Sequence, residues 1–412
     1  MKRFYTTLVT LMAVITSGYA ELELPDGEDF SIGDIIWPGF YVNMAAGGSS
    51  EEPGDLAVGH HDPNRDGFTL QGLEASASLR ANDHIQGFAA FNLSWGTDEE
   101  EWTDEWEEYF GKLTKLPGNL ELRGGKLLNR FGSRNAVHQH GWTLVDQNLV
   151  NARFLGEDGL ATEGGDITWY LPTPFVTALT VSYGDAPSHE HGHGHGEEEE
   201  HHDEDEEEEH HDEEEEHHAD AEEILFEDDF VSANLLIQVN QDDFNQFAFG
   251  GSLASGDNGL GDETLIAAAN FGYTWRVNGL EPGGRQLSVK TEVMVRDYDA
   301  GEHGHEDEHE EEEEEHEEGP GGDSEFGITA EVIHSDGEAL DVGVRFGFVE
   351  GIDELEIEER YRVSPVLTYY LTEARNALIR FQYNYDELED SGSAHSGWAQ
   401  FQYGFGGKKE VR

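Results

Sequence analysis

The sequence predicts an all-β protein, a transmembrane antiparallel β-barrel of about 16 strands (roughly 14–18), with long external loops and short periplasmic turns. Three observations predict it. Apolar and polar residues alternate with period 2 through most of the chain, the connections alternate between short and long, and no stretch approaches the ~18 uninterrupted apolar residues of a membrane-crossing helix.

The alternation is plainest in the second half. Leu287, Val289, Thr291, Val293 and Val295 oppose Lys290, Glu292 and Arg296, and Val342, Val344, Phe346 and Phe348 oppose Asp341 and Arg345. Ile379, Phe381, Tyr383 and Tyr385 face away from Arg380, Gln382, Asn384 and Asp386. Each segment thus has one oily and one polar face. A soluble sandwich would share that pattern, with the oily face in its core. Two features favour lipid instead. Aromatics collect near strand ends (Tyr273 and Trp275, Tyr369, Tyr383 and Tyr385), as in an interfacial girdle, and the segments are long for a soluble sheet.

In chain order the predicted strands are 35–46, 68–79, 84–95, 104–113, 119–128, 161–171, 174–185, 227–239, 243–255, 263–276, 285–299, 325–335, 339–349, 357–371, 375–386 and 397–406. The first is interrupted by Trp37-Pro38-Gly39. Short turns and mostly longer loops then alternate, so all the long loops fall at one end. A sandwich has no reason to sort its loops this way; an even-stranded barrel does. Lys290, Glu292, Arg296, Arg345 and Arg380 are predicted to face the lumen. A barrel of this size encloses water, so those charges should be solvated and incur little desolvation cost.

Residues 1–20 read as a cleaved secretory signal: Lys2 and Arg3, an apolar core from Leu8 to Ile15, then Gly18-Tyr19-Ala20 with small residues at the cleavage positions. The mature barrel is expected to span 21–412, in the outer membrane of a bacterium. The chain has no cysteine, so metal chemistry must rest on imidazole and carboxylate. Its net charge is −67, from 90 acidic and 23 basic residues, which argues against a nucleic-acid partner.

Two low-complexity loops, at about 187–223 and 301–320, hold 32 of those carboxylates and 14 of the 21 histidines; without them the charge would still be −35. The first carries His189, His191, His193, His195, His201, His202, His210, His211, His217 and His218; the second carries His303, His305, His309 and His316. Neutral imidazole suits zinc, copper(II) and nickel, and carboxylates complete the shell. Such tracts would gather several exchangeable divalent ions, with no closed structural site and no obligatory cofactor. The plainer reading is a hydrophilic shield on the cell surface. That accounts for the glutamates but not for the interleaved histidines, which add no charge at neutral pH.

Loop 129–160 is long yet not of low complexity, and its aromatic and aliphatic residues could anchor it inside the lumen. Arg130, His138, His140, Asp146 and Arg153 are its candidate pore residues. In an extended segment His138 and His140 would face one side, and with Asp146 they would make a transient ion site; an ordinary structural loop is the rival reading. His60, His61 and Asp62 in loop 47–67 would add weakly to external metal binding, and His334 reads as a solvated strand-end residue. No Gly-x-Ser-x-Gly elbow or P-loop is present, and acid–histidine neighbours are too frequent to single out a catalytic dyad. No enzyme is expected.

The stretch GGKLLNRFGSRNAVHQHGWTLVDQNLVNARFLGEDGLATEGGDITWYLP, residues 124–172, resembles a group of bacterial porin-like outer-membrane proteins linked to zinc, described as zinc-regulated or TonB-dependent receptor-like. The resemblance covers roughly 66–185, and His138, His140 and Asp146 match its patterned loop. It implies a barrel with histidine-rich outer loops and a role in passing zinc or a similar metal. The expected function is therefore an outer-membrane channel that concentrates and passes divalent ions. The alternatives are a surface metal-binding protein that transports nothing, and a general porin whose acidic loops only shield the cell. Outer-membrane lipid and divalent ions are the expected partners, and a homo-oligomer is compatible with the sequence.

Overall fold

Where β-branched and aromatic residues alternate with polar ones, the chain forms strands, and sixteen of them close on themselves. They are β1 Ile36–Ser49, β2 Gly67–Arg80, β3 Ile85–Trp95, β4 Trp102–Leu116, β5 Leu120–Leu128, β6 Ala161–Tyr170, β7 Val176–Asp185, β8 Phe226–Asn240, β9 Asn245–Asn258, β10 Glu263–Arg276, β11 Gln286–Asp299, β12 Gly322–Ser335, β13 Leu340–Val349, β14 Arg360–Tyr370, β15 Ala377–Leu388 and β16 Gly392–Gly406. This is a computed structural model, and it describes residues 30–95, 102–186, 224–259, 262–279, 281, 283–299, 322–352, 357–389 and 391–407. The expected signal segment and both His/Glu tracts lie outside the described residues.

Each strand pairs antiparallel with its sequence neighbours, and β1 pairs with β16 to seal the cylinder. The Trp37-Pro38-Gly39 interruption proves harmless. The Pro38 carbonyl faces β16 and accepts from Gly407 N, so the missing proline N–H falls at the rim, beyond the paired stretch that ends at Gly39↔Gly406.

The faces sort as an inside-out protein. On β13, Val342 and Val344 are 39% and 41% exposed on the outer wall, whereas Arg345 between Val344 and Phe346 is 4% exposed on the inner wall. An oily outer surface over a polar interior is the arrangement of a barrel set in lipid, and it excludes the sandwich, which would bury that oily face. Short turns join β2 to β3, β4 to β5, and so on to β14–β15; the other connections leave from the opposite rim. The strand ends that flank both His/Glu tracts, Asp185 and Phe226 for one and Asp299 and Gly322 for the other, lie on that long-loop rim.

Candidate functional site in the lumen

The lumen is crossed by loop 129–160, and the reason is legible in its side chains. Phe131, Leu149, Val150, Phe154, Leu155 and Leu160 bury against Phe230, Ile266, Met294 and Val349 of the inner wall. Each large apolar side chain so removed from water contributes on the order of 1.5–3 kcal/mol. Helix α1 (Pro53–Leu56) belongs to the first outer loop; helix α2 (Leu149–Leu155) belongs to the inward one. The Asn148 side chain caps α2 by accepting from Val150 N at 2.9 Å. On β12 the wall makes room for the helix, because a Cβ at Gly327 would lie 2.7 Å from Phe154 Cε2. At the loop's tip, Val145 packs between Ala45 of β1 and Trp398 of β16.

One side of the loop meets a basic wall. Asp146 pairs with Arg345, and with Arg362 Nη1 at 3.1 Å; Asn384 Nδ2 donates to the same carboxylate at 2.7 Å. Arg380 donates to the backbone carbonyls of Leu144 (2.9 Å) and Trp142 (2.8 Å). Further pairs fix the flanks: Arg130 with Glu121 (3.0 Å), Arg134 with Glu331 (3.2 Å) and Arg153 with Glu325 (3.1 Å).

The other side meets an acidic wall built by a bulge. Ala90 pairs with Glu108 and Phe91 with Trp106, so Glu107 is skipped in the register. In a regular strand adjacent residues face opposite sides; the extra residue lets both Glu107 and Glu108 point inward, at 9% and 3% exposure. His138 fits between them, with Nδ1 2.8 Å from Glu107 Oε2 and Nε2 2.8 Å from Glu108 Oε2. A ring with a carboxylate at each nitrogen satisfies both when both nitrogens carry protons. His140 Nδ1 lies 2.6 Å from Glu74 Oε2 on β2. A Cβ at Gly72, beside a second bulge, would lie 2.8 Å from Asn92 Oδ1 and 3.0 Å from Gln139 Oε1, so both side chains would have to shift to admit one.

The outer loop before β2 seals this side. His60 lies 2.7 Å from Asp158 and 3.0 Å from Glu157, and His61 Nε2 lies 3.4 Å from Glu107. Asp62 accepts from Gln147 N at 2.7 Å. Burial pulls the His60 pKa down, but hydrogen bonds and charge from Asp158 and Glu157 outweigh it and raise the value to about 11. Burial likewise opposes protonation of His61, and Glu107 overcomes it to raise the value to about 9.

Loop residues 141–143 border two cavities. The first reaches Ala161, Ala186 and Phe226 at the long-loop rim and is lined by Glu107 and His138; the second reaches Tyr370 and Arg375 at the short-turn rim and is lined by His140.

Several sequence expectations change. Asp146 does not join His138 and His140: it sits with the arginines of β13 and β14, while Glu74, 64 residues before His138, takes its place. The histidines are not in an extended segment, since a 3-10 turn, Gln139–Gly141, begins just after His138. Nor are the lumenal charges freely solvated. Glu292, Arg296, Arg345 and Arg380 are 0%, 0%, 4% and 3% exposed, because the inward loop covers them; Lys290 lines the first cavity. Arg130 and Arg153 are committed to wall carboxylates. His60 is committed to Glu157 and Asp158 of the inward loop and His61 to Glu107 of β4, so both are engaged within the fold, and His334 is exposed as expected. Sequence reading missed Glu74, Glu107 and Glu108. Adjacent glutamates that break the period of β4 were the available signal for the last two.

No protein-family model matches the chain, and no curated protein matches it. Solved structures do. An anion-selective porin from Comamonas acidovorans superposes with TM-score 0.53 at 9% identity, over 90% of this chain and 99% of that one. This barrel has the porin fold. A loop L8 deletion mutant of OmpT, an outer-membrane protein of Vibrio cholerae, gives TM-score 0.50 at 9% identity over 90% and 98% of the two chains. OmpF of Salmonella typhi, in complex with daunomycin, gives 0.50 at 9% over 90% and 97%.

Proposed function

We propose that this chain is a channel in the bacterial outer membrane that passes small cations, divalent metal ions among them, zinc being the favoured one. The observation that carries the reading is the inward loop. It divides the lumen into an outer and an inner cavity, and it sets imidazole and carboxylate side chains at the division. A barrel built only as an anchor for surface tracts has no need of such a partition. The negative field of the chain, −67 overall, would concentrate cations at the mouth and repel anions, the opposite of the preference in the name of the Comamonas barrel. The fourteen histidines of the two outer tracts would load exchangeable metal next to that mouth.

Conductance across a planar bilayer tests the channel. Open-state current with a reversal potential on the cation side is expected, together with a change in current when Zn2+ is added outside. Folded protein without conductance would favour a surface metal-binding protein. Conductance indifferent to the sign and valence of the ion would favour a general porin. Deleting 189–218 and 302–318 should remove most of the weak zinc binding seen by calorimetry; unchanged binding would remove the tracts from the mechanism.

A further inference from the structure

Glu74, His138 and His140 each offer a ligand atom, and the three atoms lie within 4.8 Å of one another. The Nδ1 atoms of His140 and His138 stand 2.6 and 3.7 Å from Glu74 Oε2. Glu74 is 3% exposed, and its second oxygen, Oε1, has no hydrogen-bond partner among the described residues. Leaving a buried acceptor unmatched is costly, more so for a charged one, and the His140 bond to the sister oxygen does not reach it. The oxygen lies in a cluster whose other donors are ring nitrogens.

We propose that Glu74, His138 and His140 form a mononuclear site for a divalent transition metal of the zinc class, holding the inward loop to β2. Two imidazoles and one carboxylate suit zinc and leave a fourth position for water, whereas calcium and magnesium demand oxygen donors. The rings are already aimed. Glu108 Oε2, 2.8 Å from His138 Nε2, keeps that nitrogen protonated, the usual role of a carboxylate behind a metal-binding histidine, and leaves Nδ1 to take the ion once it releases the proton it otherwise donates to Glu107 Oε2, 2.8 Å away. Tyr41 stacks on His140 with ring centroids 3.9 Å apart and planes within 8°. The site differs in kind from the outer tracts, since its ligands are few, buried or half-buried, and held by the fold. Binding needs the fold alone; only its place on a permeation route rests on the channel reading.

The test uses the full chain folded in detergent and Zn2+ alone, in a chelator buffer that keeps free Zn2+ too low to load weak exchangeable sites. One equivalent per chain should remain bound. The pair His138→Asn and His140→Asn should weaken that equivalent at least about 100-fold, Glu108→Gln about 10-fold, and His334→Ala on the outer face of β12 not at all. Folding of each variant is read from its heat-dependent gel mobility. If the double variant does not fold, Glu74→Gln is read on the same scale and should also lose at least about 10-fold. Absence of a tight equivalent in the parent, or its retention in a folded ligand variant, would overturn the site. A tight equivalent in a barrel that does not conduct would leave the site standing and remove the channel.

Discussion

The two anchorages of loop 129–160 use the same kind of bond with the charges exchanged. On the β13–β15 side the loop supplies the acid, Asp146, and the wall supplies arginines; on the β2–β4 side the loop supplies imidazoles and the wall supplies Glu74, Glu107 and Glu108. The difference lies in what each can exchange. A guanidinium keeps its proton throughout the range a protein survives, so the Asp146 anchorage is permanent. An imidazole, unlike a guanidinium, can give up its proton and accept a metal in its stead, so the other anchorage responds to the solution. One end of the loop is a rivet and the other a latch.

Removing the rivet should have the largest effect. Asp146→Ala leaves Arg345 buried without its carboxylate and costs the loop's docking on the order of 3–5 kcal/mol. Protease added to the long-loop face should then cut within 129–160 much faster, with single-channel current raised; a loop as resistant as the parent's would show that the basic wall is not the firmer hold. Opening the latch should do less. Glu107→Gln with Glu108→Gln retains two acceptors for His138 and should cost about 1–3 kcal/mol, read in the same cleavage assay. A greater loosening than Asp146→Ala gives would reverse the comparison.

The smallest effect is that of pH. The values for His60 and His61 stand above the ordinary 6.5 of histidine, so their stabilisation is complete below about 6.5 and is lost as pH rises, through about 9 for His61 and about 11 for His60. The outer segment 57–66 should therefore become more open to proteolysis between pH 7 and 10. Cleavage near Asp146 should stay flat over that window, and a parallel rise at both places would mean that the whole loop lifts as one body.

Most of the barrel was written in the period-2 pattern, and the predicted strands differ from the observed ones by a few residues. The largest discrepancy is β16, which starts at Gly392 and not near 397, because Ser393 to Ser396 offer no alternation to read. The loop's apolar content announced that it would be anchored. Its attachment points could not be read, since they depend on pairs distant in sequence: Asp146 with Arg345, His140 with Glu74. Neighbourhood along the chain suggested joining Asp146 to His140, and the fold docks them on different strands, β13 and β14 for one and β2 for the other. The bulge at Glu107 was hidden for a related reason, because a one-residue slip is visible only against the partner strand. Burial of the lumenal arginines followed from the loop's destination, so that expectation failed together with the assumption of an open tube.

Val145, far along the chain from both ends of the barrel, rests between the first strand and the last. The joint where the two termini of the barrel meet is therefore finished on its inner side by a residue that belongs to neither. Seam and lining are thus mutually completing: Ala45 and Trp398, one from each side of the joint, share a buried apolar neighbour only when the segment is seated.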